Sequence, residues 1–255
     1  MAADSALFLV KSRRTKIIMN QLSTKTVRDI ALEAPATTRV FEEFKIDYCC
    51  GGRRSIEDAA ASAGVDSSIL MDRINAVLEK PASDAYPEAM EPTALVGYIL
   101  DKHHVFTATE LERLTPLMAK VVMRHGDTHP ELFKLQEVFT SLNASLTPHM
   151  QKEENVLFPF ILELDRAAKN NMPAPFPHFG TVKNPIRMMM MEHDTDGERL
   201  RKMREITNDY ALPEGACPSY TALFAGLEDL ERDLHRHIHL ENNVLFPAAA
   251  KLETR

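Results

Sequence analysis

His149-Met150-Gln151-Lys152-Glu153-Glu154-Asn155-Val156-Leu157-Phe158-Pro159 and His237-Ile238-His239-Leu240-Glu241-Asn242-Asn243-Val244-Leu245-Phe246-Pro247 are two copies of one pattern, H-x-x-x-E-x-N-V-L-F-P. On a helix, residues four apart stand one above the other, so each copy turns an imidazole and a carboxylate toward a common point. Two further histidines, His104 and His193, precede the copies at almost equal intervals, and each is followed two turns on by a leucine, Leu111 and Leu200. The chain therefore reads as two helical hairpins, each giving one histidine from its first helix and a His-Glu pair from its second. Stacked, they form a four-helix bundle whose interior receives His104, His149, Glu153, His193, His237 and Glu241. Zinc is satisfied by about four ligands. Six inward groups, two of them carboxylates able to bridge, suit two metal ions better.

One H-x-x-x-E is common on helix surfaces without a metal. Two copies with shared flanks and matched upstream histidines are a far more specific signal. Val-Leu-Phe-Pro in both copies reads as core packing and helix bending. His103 competes with His104 for the first ligand position, and the interval to Leu111 selects His104. His239, two residues from His237, is expected on a solvated or interface side of its helix. His125 reads as a helix cap or an outer partner of the site, and His129, His178 and His235 have no ligand spacing. Asp233, one turn before His237, could orient an imidazole. The run Met188-Met189-Met190-Met191 reads as adaptable core.

Composition supports an all-α chain. Hydrophobic residues make up 44% of 255 positions and only nine are glycine, while good helix formers abound. A net charge of −7 with no basic face argues against nucleic acid or an anionic membrane as partner. No run approaches the roughly 18 apolar residues of a membrane span. Three cysteines, two of them adjacent, make no disulfide framework and point to a reducing cytoplasm. Residues 1–20 lack a signal-peptide pattern and are expected to be a disordered extension, with Met19 an alternative start.

Residues 21–80 read as a small helical domain. Thr26-Val27-Arg28-Asp29 resembles a capping box and Ser55-Ile56-Glu57-Asp58 another helix start. A helix from about Ala36 to Phe44 leads to Asp47-Tyr48-Cys49-Cys50-Gly51-Gly52, and a last helix opens at Asp66-Ser67-Ser68 and ends near Lys80. Cys49 and Cys50 are either a buried structural pair or, as the flanking glycines and Arg53 and Arg54 favour, redox or metal-donating thiols. Residues 81–92, with Pro81 and Pro87, read as a linker, and 93–255 as the bundle. Its helices are expected from about Thr93 to Leu114, from beyond Pro130 to Lys169, from Pro185 to Asn208 and from Ser219 to the end.

The Asp47–Gly52 signature, Met191-Glu192-His193-Asp194 and both copies of the long motif together resemble the iron-sulfur cluster repair di-iron proteins, a family with a hemerythrin-like bundle. The resemblance covers the chain from about Gln21 onward. It implies two iron ions in a non-haem, oxo-bridged centre held by His104, His149, Glu153, His193, His237 and Glu241. It also implies a cytoplasmic stress-response protein, in a family that includes homodimers, which restores clusters damaged by oxidative or nitrosative stress and acts more by donating iron than as a conventional enzyme. Damaged iron-sulfur proteins or a cluster-assembly scaffold would be its partners, and nitric oxide or dioxygen its small ligands. The competing readings are nitric oxide reduction at the centre and hemerythrin-type binding or sensing of dioxygen or nitric oxide.

Overall fold

The computed structural model describes residues 25–49, 51–78 and 87–254. The chain clusters into two compact units, Met1–Ala89 and Met90–Arg255, and no β-strand occurs among the described residues. The extension at residues 1–20, Cys50 and the first half of the expected linker (81–86) lie outside the described residues.

In the first unit, α1 (Val27–Glu33) opens on the expected capping box: Asp29 N–H donates to Thr26 Oγ1 while Thr26 N–H donates to the Asp29 carboxylate. The expected helix at Ala36 is split into a 3-10 turn, Pro35–Thr37, and α2 (Thr38–Glu43), because Pro35 lacks an N–H and favours a helix start. Ser55 caps α3 (Ile56–Ser62) through Asp58 N–H, and α4 spans Ser67–Leu78. Val27, Ile30, Phe41, Tyr48, Ile56, Leu70 and Ile74 form the centre of one small core.

The second unit is a bundle of four long helices, three of them interrupted by a π turn. The first comprises α5 (Pro92–Tyr98), a π turn (Ile99–His104) and α6 (Val105–His125). The second comprises α7 (Glu131–Lys152), a π turn (Glu153–Leu157) and α8 (Phe158–Lys169). The third is α9 (Lys183–Ile206). The fourth comprises α10 (Pro218–Leu240), a π turn (Glu241–Leu245) and α11 (Phe246–Glu253). Helix α7 packs on α9 and α6, and α10 on α6 and α9.

The first helix runs past Leu114, the expected end, to His125 with Pro116 inside it. An interior proline costs about 3 kcal/mol. Leu114, Met118, Val121 and Val122 are all buried in the bundle core, at about 1.5–3 kcal/mol each, so burial wins. Gly126 follows, where a Cβ would lie 2.6 Å from the Val122 carbonyl oxygen and 2.7 Å from the Phe133 ring; only glycine lets the chain turn so close to α7.

Two apolar layers divide the bundle along its length. One contains Leu111, Leu114, Leu142, Leu146, Leu200, Leu227 and Leu234, the other Ile99, Leu157, Phe158, Met189, Leu245 and Phe246. Along each helix the expected ligand residues fall between a member of one layer and a member of the other. The polar groups therefore form a belt sealed at both ends by hydrocarbon. Met189 alone of the four-methionine run is buried, whereas Met188 and Met191 are exposed, so the run is core on one side only.

Candidate metal centre

The motif's proline explains the local backbone. Pro159 and Pro247 cannot donate a helical hydrogen bond, and a proline ring crowds the carbonyl four residues earlier. In both copies the helix widens just ahead of them: Phe158 N–H reaches back to Glu153 O and Phe246 N–H to Glu241 O, five residues away. Such π turns recur at functional sites, and here each begins at the motif glutamate. A third π turn ends at His104; His193 comes from a regular helix.

His104, His149, Glu153, His193, His237 and Glu241 are all buried. Their ligand atoms form two groups of four, His104-Glu153-His237-Glu241 and His149-Glu153-His193-Glu241, so both glutamates belong to both groups. The two oxygens of each carboxylate are shared out between the groups. Glu153 Oε2 lies 3.4 Å from His104 Nε2 and Oε1 3.4 Å from His149 Nε2. Glu241 Oε1 lies 3.0 Å from His237 Nε2 and Oε2 3.2 Å from His193 Nε2. His149 Nε2 and His193 Nε2 are 3.0 Å apart.

Both Glu153 oxygens, Glu241 Oε2 and His104 Nε2 are buried without a satisfied hydrogen bond. Unpaired buried acceptors on two carboxylates are costly unless a cation meets them. The donor set, four imidazoles and two carboxylates, fits first-row divalent ions.

Electrostatics follow from the same geometry. Burial opposes charge on the His149 imidazole, but the Glu153 carboxylate, with help from Glu241 and Glu192, pushes its pKa up to about 9. His104 is likewise raised against the cost of burial, chiefly by Glu153. Burial and mutual repulsion would raise the two glutamates, yet the surrounding imidazoles hold Glu153 below the ordinary carboxylate range and Glu241 well below it. His237 is lowered by burial.

The outward ring nitrogens have partners that sequence reading missed. His104 Nδ1 meets Glu154 Oε1 at 2.8 Å, His149 Nδ1 meets Glu192 Oε2 at 2.7 Å and His193 Nδ1 meets Asn242 Oδ1 at 2.9 Å. Glu192 is itself bound by Lys152. Such partners fix the tautomer and orientation of a ligating imidazole. Glu154 and Asn242 each directly follow a motif glutamate and Glu192 directly precedes His193, which is the only signal the sequence offered.

His103 is buried beside the site but in neither group of four. Its Nδ1 lies 3.0 Å from Asp233 Oδ1, and its ring stacks on His237 with centroids 5.4 Å apart and planes 8° apart. Asp233 thus orients an imidazole as the spacing suggested, but that of His103. His239, expected on a solvated or interface side of its helix, is fully buried and bonded through Nδ1 to the Asn243 amide, because α10 is covered on that side too. His125 lies away from both groups and contacts Cys217 Sγ through Nε2 at 3.1 Å.

In the first unit Cys49 is buried, and its thiol and backbone N–H both reach Asp47 Oδ1, at 3.2 and 3.0 Å. Gly51 N–H donates to Asp47 Oδ2 at 2.9 Å. A Cβ on Gly52 would lie 2.5 Å from the Tyr48 carbonyl oxygen, which accounts for the second glycine. Arg54 donates to Gly51 O and Ser62 Oγ. Cys50 is outside the described residues.

Residues 96–249 match the hemerythrin HHE cation binding domain family, and residues 23–78 match a domain of unknown function, DUF542. Among curated relatives, the iron-sulfur cluster repair protein ScdA of Staphylococcus haemolyticus is 31% identical over 86% of this chain and 95% of its own length. The iron-sulfur cluster repair protein YtfE of Yersinia pseudotuberculosis is 32% identical over 88% of this chain and 96% of its own. That of Dickeya chrysanthemi is 31% identical over 90% and 98% respectively.

Proposed function

This chain belongs to the hemerythrin-domain iron-sulfur cluster repair family, and on that premise we propose that it repairs damaged iron-sulfur clusters by donating iron from a non-haem di-iron centre. The observation that carries the reading is the pair of buried glutamates, each with one oxygen toward either histidine pair. His104 and His237 would hold one iron, His149 and His193 the other, and Glu153 and Glu241 would span both. The relatives' names supply the repair function; damaged iron-sulfur proteins are then the targets.

When bound, the iron pair supplies redox chemistry and iron that can be given up. The residues determine how. Glu153 and Glu241, held ionised by their neighbours, offset the positive charge of two cations in a belt closed to bulk water. His149 and His104, whose proton affinity the neighbouring carboxylates raise without metal, put protons in competition with iron, so the centre is built to be left as well as filled. The Cys49-Cys50 pair serves iron delivery or redox coupling and does not hold the centre, since the six bundle residues complete the ligand set by themselves. No helix among the described residues is long and apolar enough to cross a membrane.

The test is transfer of isotopically labelled iron from loaded protein to an iron-sulfur protein whose cluster has been damaged by peroxide or nitric oxide. Label should appear in the rebuilt cluster. Steady consumption of nitric oxide without label transfer would replace this reading by nitric oxide reduction.

A further inference from the structure

The two metal positions are not equally supported from outside. At the His149-His193 position both imidazoles have an acceptor on the outward nitrogen: Glu192, tied down by Lys152, and the buried Asn242. At the His104-His237 position only His104 has one, the carboxylate of Glu154, whose side chain is 44% exposed. His237 Nδ1 is buried and has no hydrogen-bond partner among the described residues. What lies against that ring is the face of His103, held by Asp233. Stacking fixes the ring plane but accepts no proton from its nitrogen, so it neither strengthens the imidazole as a donor nor satisfies its N–H.

From this asymmetry we infer that the iron at His104 and His237 is the exchangeable one, delivered first, while the iron at His149 and His193 is retained. The inference rests on the two-metal reading above and adds a direction to it. Loss of an outer partner weakens metal binding about 10–100-fold. One position lacks such a partner and relies on a solvent-screened carboxylate for the other. A gap of at least about tenfold between the two release rates is the expected consequence.

Full-length protein loaded with ferrous iron under anaerobic conditions is mixed with excess ferrozine, and release is followed by absorbance. Two phases of about one iron per chain each are expected, the fast one at least about tenfold faster. Glu192→Gln, which removes the charged partner of His149, should accelerate the slow phase and leave the fast one in place. Asn242→Leu should act on the same slow phase, so the assignment does not depend on one variant folding. Glu154→Gln should accelerate the fast phase alone. Release of both irons at one rate, or an effect of Glu192→Gln and Asn242→Leu on the fast phase, overturns the inference and leaves the two-metal reading standing. Fewer than two irons per loaded chain defeats that reading, and this inference with it.

Discussion

A metal bound at His149 would have to displace a proton from it, and the structure sets the terms. An imidazole ordinarily titrates near 6.5, whereas His149 rises to about 9 without metal. That difference is worth about 3 kcal/mol at 1.36 kcal/mol per pH unit. Below pH 6.5 the bound proton stabilises the metal-free fold in full, and the stabilisation is lost as the pH rises through about 9. Ligation needs the neutral ring, so the sign for metal is the reverse: affinity should rise with pH, about tenfold per unit from pH 6 to 8, and be about 50-fold weaker at pH 7 than at pH 9. His104 is raised as well, while both glutamates are already ionised and His237 is lowered. Filling the centre should therefore release between about one and two protons per chain from these two rings. Calorimetric titration with Zn²⁺ in buffers of differing ionisation enthalpy measures both quantities. An affinity flat between pH 6 and 8, with no proton release, would refute the account of how Glu153 acts on His149.

Replacing His104 by Ala should cost about one bound metal per chain, measured by atomic absorption, whereas His103→Ala should leave the complement at two; the reverse would put the ligand on the wrong residue of the first helix. Leu142→Ala, in the apolar layer beside the belt, should destabilise the bundle by about 2–5 kcal/mol in urea titration. A smaller loss would mean the site's surroundings are less tightly packed than their burial indicates. Changing Cys49 and Cys50 together to Ser should leave the iron content intact and impair cluster repair. Undiminished repair would make the pair structural, consistent with the buried thiol of Cys49 on Asp47.

The six residues that the bundle brings together in two groups were legible in the sequence because their spacing is local information. A helix places residues four apart on one face regardless of what it packs against, so His149 with Glu153 and His237 with Glu241 could be read directly. Repetition then extended the reading to His104 and His193. The helical class, both amino-terminal caps and the glycine break at Gly126 are local in the same sense. The burial of His239 and the continuation of the first helix through Pro116 were not legible, because each depends on the neighbouring helices that cover it. The same holds for the outer partners of the imidazoles. His104 with Glu154, His149 with Glu192 and His193 with Asn242 are 50, 43 and 49 residues apart, brought together only when four helices pack. The sequence by itself determined which histidines and glutamates share a helix face. The tertiary structure decided which oxygen of each glutamate faces which histidine, and which ring nitrogen is left without a partner, since hydrogen bonds across a bundle depend on distances that no single helix sets.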